Sequence, residues 1–133
     1  MTLPVSAFVA AICAIMLLIT AIDTVRQRMR AKVPFGDNDD AKLISAVRSH
    51  GNLAEHAPIV VLLLAFLEMS RANHIILMAI GALFLAGRVS HIAGLYAPMS
   101  TKPPLPRSLG VIATWLTIAA LSGWTLLMLA MNN

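Results

Sequence analysis

Cysteine is nearly missing from this chain. Cys13 stands alone, so no intrachain disulfide can form, and in its apolar stretch it reads as a small buried side chain. Charge is scarce too. Only 12% of the 133 residues are charged, where a soluble domain carries about 25%. That deficit excludes a core wrapped in a polar shell. Other absences narrow the chemistry. There is no glycine-rich phosphate loop and no nucleophile elbow with a Ser/His/Asp set. The histidines offer no HxxxH pair and no Cys co-ligand, so neither a metal centre nor haem is expected. The chain carries no internal repeat and no low-complexity tail.

What the chain does have is hydrophobicity, at 59% of residues and a mean hydropathy of +0.81. Four runs reach the roughly 20 apolar residues that cross a bilayer, at about 3–25, 46–69, 74–96 and 109–131. The expectation is one domain over 1–133, an all-α membrane protein built as an up-down bundle of four transmembrane helices. The first run is too long for a signal peptide and lacks its basic start, so it reads as a retained helix. The net charge of +4 does not point to nucleic acid, because the basic residues gather at helix ends, where lipid headgroups account for them. Arg26, Arg28, Arg30, Lys32, Lys42 and Arg48 flank the first connection, Lys102 and Arg107 lie by the third, and only Arg71 lies in the second. The positive-inside rule then puts connections one and three in the cytoplasm and both termini outside.

The connections and one helix face carry local signals. Asp39 or Asp40 is placed to cap helix two. The connection at 70–73 is so short that helices two and three must be antiparallel neighbours. The stretch 98–106 holds Pro103, Pro104 and Pro106 and reads as a stiff extended crossing. Ala82, Ala86, Ser90 and Gly94 recur every four residues as a ridge for close helix packing. Arg88, His91 and Leu95 fall on a different stripe.

Polar residues intrude where a lipid-facing helix has none. Each ionisable group inside a span costs about 2.5–3.5 kcal/mol on insertion scales, so such groups mark a site or a partner. Arg48, Asn52 and Glu55 are spaced i, i+4, i+7 and share one helix face. Arg88 and His91 share another. Glu55 and Arg88 lie at matching depths in antiparallel helices and are expected to pair. Pro58 removes a hydrogen bond to the Ala54 carbonyl and can bend helix two. Arg107 and Ser108 follow Pro106 in the first turn of helix four. A cation there opposes the helix dipole unless an anion docks, and that anion is either an anionic substrate or a lipid phosphate.

The stretch Arg48-Ser49-His50-Gly51-Asn52-Leu53-Ala54-Glu55-His56-Ala57-Pro58 resembles the second-helix signature of the MAPEG family, the membrane-associated proteins of eicosanoid and glutathione metabolism. Gly87-Arg88-Val89-Ser90-His91 is similar to its third-helix signature, and Arg107-Ser108 to its Arg-Ser pair. Gly36-Asp37 and Ala113-Thr114-Trp115 add a likeness to a short bacterial inner-membrane branch. The resemblance implies a homotrimer in the bacterial inner membrane, with glutathione as co-substrate bound between subunits and open to the cytoplasm. It implies that Arg48 and Arg26, or Arg28, hold the glutathione carboxylates. Asn52 then bonds the peptide, Glu55 the amino group, and Arg107 the thiolate with Ser108 beside it. His50, Arg88, His91 and Tyr96 complete the candidate binding set. Leu95 stands where animal members often have tyrosine, and Tyr96 lies about 100° further round the helix.

The implied activity is thiolate conjugation to a small apolar electrophile, or reduction of a lipid hydroperoxide. An adjacent guanidinium lowers the pKa of a thiol from about 8.5, and orientation then carries the rate. Two other readings remain open. One is a non-catalytic membrane protein binding lipid or a partner. The other is a small transporter with Glu55 as its ion site.

Overall fold

Helix boundaries in this chain follow capping groups rather than the edges of hydropathy. The computed structural model describes residues 2–98 and 102–131. All four expected spans are helical, as α1 (Pro4–Ala31), α2 (Ala41–Met69), α3 (His74–Tyr96) and α4 (Leu105–Met131). Each is long and apolar enough to cross a membrane, and the chain is a multi-pass four-helix membrane protein. α1 outruns the apolar edge near residue 25 and stops where Lys32 turns left-handed at φ 56°. Arg28 ties down the turn beyond it, donating to the carbonyls of Gly36 at 2.8 Å and Pro34 at 3.4 Å. α2 starts at Ala41 because the Asp40 carboxylate accepts the Leu43 N–H at 2.9 Å, the N-cap arrangement. α4 starts at Leu105, so Pro106 falls in the first turn, where no N–H is needed. Residues 99–101 of the proline-rich crossing lie outside the described residues.

α1 packs on α2 and α3 packs on α4, with α2 and α3 joining the pairs; among the described residues the backbones of α1 and α4 do not approach closely. The core joins Leu53, Ala57, Val60 and Leu64 of α2 to Val9 and Cys13 of α1, Leu77 and Phe84 of α3, and Leu121 of α4. Outward residues such as Phe8, Leu18, Trp115 and Leu116 are apolar and exposed, as lipid solvent requires. α2 runs unbroken through Pro58.

The two ends of the bundle differ. One carries the ends of α1 and α3, the starts of α2 and α4, and nearly all the basic residues; we call it the basic end. At the other end Glu68 closes the bundle. Its carboxylate accepts the backbone N–H of Val5 and of Ser6, each at 2.9 Å, and the Ser6 hydroxyl at 2.6 Å. Leu3 offers α1 no side-chain cap, so a carboxylate from α2 takes that role.

Two packing expectations need correction. The ridge on α3 is not the four-residue row: Ala82 and Ala86 are exposed. A four-residue step gains about 40° per turn, so the row winds around the helix. The close approach uses Gly87, Gly94 and, on α4, Gly110. A Cβ on Gly94 would stand 2.2 Å from the Arg107 nitrogen, and one on Gly110 2.5 Å from the Gly87 oxygen. Arg88 and His91 lie on this packed face, not on a separate one. Nor does Glu55 pair with Arg88. Leu53 faces the core at 1% exposure, and Glu55, about 200° further round, points outward.

Candidate functional site

Three grooves meet at the basic end. The largest, about 840 Å³, is lined by Gln27 of α1, Lys42, Ser45 and Arg48 of α2, Tyr96 of α3 and Arg107 of α4, among others. A second, about 300 Å³, holds Asp37, Arg48, Asn52 and Glu55. A third, about 380 Å³, runs between α1 and α3 past Ile19, Ile22, Asp23, Arg26, Ile92 and Tyr96. Arg48 belongs to the first two and Tyr96 to the first and third, so the grooves adjoin. The first has the volume of a small-molecule site and gathers three cations from two helices.

Local structure explains each placement. Arg48, Asn52 and Glu55 do share a face of α2, and the Asn52 amide donates to the Arg48 carbonyl at 3.0 Å. Arg107 sits in the first turn of α4, its N–H bonded to the Pro104 carbonyl at 3.0 Å, with its side chain half-buried. Ser108 is half-buried beside it. The Ser90 hydroxyl donates to the Pro106 carbonyl at 2.9 Å, holding that turn to α3. Tyr96 donates from its hydroxyl to the Asp23 carboxylate and bridges α3 to α1. The Ser45 hydroxyl donates to the Leu95 carbonyl at 2.8 Å and fixes α2 against the end of α3.

Other candidates are placed elsewhere. The Arg28 guanidinium is occupied by the carbonyls after α1. His50 turns inward, its Nδ1 3.1 Å from the Thr20 hydroxyl, and serves the α1–α2 contact. Arg88 and His91 are 2% and 4% exposed. Arg88 reaches the Asn52 carbonyl at 3.5 Å, the Gly110 carbonyl at 3.2 Å and the Thr114 hydroxyl. His91 Nδ1 lies 3.4 Å from the Arg107 carbonyl. Sequence reasoning missed Asp23, Ser45 and Glu68. Asp23 and Glu68 gave only a weak signal, an acid close to the end of an apolar run, and each has an arginine at i+3, Arg26 and Arg71, that suggests a local pair instead. Ser45 had none.

Residues 6–127 match the model described as the MAPEG family. The chain is also 37% identical over 111 residues to the inner membrane protein YecN of Escherichia coli strain K12, covering 84% of this chain and 82% of that protein. YecN of Escherichia coli O6:H1 matches to the same extent. No solved structure gives a significant match.

Proposed function

From the premise that this chain belongs to the MAPEG family, we propose that it is a glutathione-dependent membrane enzyme, a transferase or peroxidase working on apolar substrates. The observation that carries this is that Arg48 of α2 and Arg107 of α4 line one cleft of about 840 Å³. Glutathione presents two carboxylates, an ammonium group and a thiol. Arg48 and Arg26 suit the carboxylates, Asn52 the peptide, Glu55 the ammonium, and Arg107, with Ser108, the sulfur. Arg28 is already engaged with backbone carbonyls, which favours Arg26 as the first-helix contact. Arg48, Asn52 and Glu55 open outward on α2, so a second copy is needed to cover the site. This supports glutathione held between subunits of a homotrimer. The concentration of cations at this end favours a cytoplasmic-facing cleft.

Arg107 holds the thiol as thiolate, and the released proton goes to solvent at the cleft mouth. In conjugation the sulfur pair forms a bond to an electrophilic carbon, while the leaving group departs with its pair or the new anion takes a proton. With a lipid hydroperoxide the sulfur attacks the terminal oxygen, the O–O bond breaks and the alkoxide is protonated. A second glutathione then yields disulfide and water. Arginine placement and orientation supply the acceleration.

The test is ultraviolet difference absorbance of the detergent-solubilised protein titrated with glutathione near neutral pH. A saturable thiolate band, lost in Arg107→Ala, is the expected result. Absence of both band and binding in the unmodified chain would sink the proposal.

A further inference from the structure

The buried rung of α3 is the feature that the proposed chemistry leaves unused. Arg88 is a cation at 2% exposure with no carboxylate partner among the described residues. Its hydrogen-bond partners are two backbone carbonyls and one hydroxyl; the Cys13 thiol lies near enough to feel its charge, and the Phe84 ring centre is 5.9 Å from the guanidinium carbon. Burying a charge so is expensive, and helix contact alone does not call for it, since Gly87 and Gly110 already let α3 and α4 approach closely. Only a planar fork of donors reaches two helices at once.

Those helices are the ones that carry the cleft's arginines. Asn52, whose carbonyl Arg88 holds on α2, is one turn from Arg48. Gly110, whose carbonyl it holds on α4, is one turn from Arg107. His91 adds a contact to the Arg107 carbonyl itself. Arg88 lines none of the three basic-end grooves, so it acts through other residues.

We propose that Arg88 is a positioning residue for the thiol site: its guanidinium holds the α2 turn bearing Arg48 and the α4 turn bearing Arg107 at a fixed separation, and so sets how strongly Arg107 acidifies a bound thiol. This rests on the glutathione reading above.

The experiment compares the full-length chain with Arg88→Met, Arg88→Lys and, as a control at the far end, Glu68→Gln. Two readouts are taken. The first is glutathione affinity with the pH midpoint of the thiolate band. Arg88→Met is expected to weaken binding about tenfold or more and to raise the midpoint by about one pH unit. Arg88→Lys keeps the charge but lacks the fork and falls short of the original values. Glu68→Gln loses thermal stability and leaves the midpoint unmoved. The second readout needs no glutathione. Spin labels at Ala54 and Leu109, in a Cys13→Ala background diluted with unlabelled chain, report the α2–α4 separation. Arg88→Met should broaden or shift that distance, and Glu68→Gln should not. An unchanged distance overturns the proposal whether or not glutathione binds. Full recovery by Arg88→Lys overturns it too, because charge alone would then suffice. A native chain with the distance response but no thiolate band would instead fail the glutathione reading, and with it the role assigned here.

Discussion

At the residue scale, two carboxylates cap helices at opposite ends of the bundle, and each carries a prediction. Glu68 serves three donors of α1 while its side chain is only 5% exposed. Glu68→Gln leaves one acceptor oxygen where two stood and removes the charge at the helix start. We expect a loss of about 1–3 kcal/mol, read as a lower melting temperature in detergent. Asp40 is the half-buried counterpart at the basic end. The Leu43 N–H, and then the Arg30 guanidinium, hold its carboxyl below the ordinary value. A lowered folded pKa stabilises fully above the unfolded value and loses that contribution as pH falls through the folded one. Acidification below about pH 4 should therefore cost the native chain more melting temperature than it costs Asp40→Asn. Asp40 was legible in the sequence because a cap acts on its own helix. Glu68 was not, because its partners lie 62 and 63 residues away.

Elements tell a similar story of near and far information. Hydropathy located all four helices, since lipid demands an apolar run in each. It misplaced the starts of α2 and α4 and the end of α1, because helix continues into polar sequence until a cap or a left-handed residue stops it. The packed face of α3 was hidden for another reason. Small residues occur on several of its stripes, and only the partner helix decides which is used. Gly94 and Gly123 separate these cases. Gly94→Ala drives a methyl group into the Arg107 backbone, and should cost about 1–3 kcal/mol along with the thiolate band. Gly123→Ala meets nothing within 4 Å and should be neutral or stabilise by about 0.5–1 kcal/mol. Circular-dichroism melts of the two variants side by side check both. The site's polar face on α2 was readable from i, i+4, i+7 spacing. The partner of Arg88 was not, because depth can be counted along a helix but facing needs the neighbours.

For the whole molecule, the exposed Glu55 and Arg48 sit on a surface otherwise suited to lipid. A lone copy in a bilayer would leave them against hydrocarbon or headgroups. Native mass spectrometry from mild detergent should release three copies together. Glu55→Leu should weaken glutathione binding without splitting the assembly, if apolar contacts hold it. A single-copy mass across detergents would remove the shared-site reading. The Glu68 clasp also has a consequence for how the protein is made. α1 leaves the ribosome before α2 and cannot complete its own start: the N–H groups of Val5 and Ser6 wait for the Glu68 side chain near the end of α2. Within a membrane such groups are costly to leave open. α1 and α2 therefore mature as one hairpin, and a translation product arrested before Glu68 should be a poorer, more readily extracted insert than one arrested just after it.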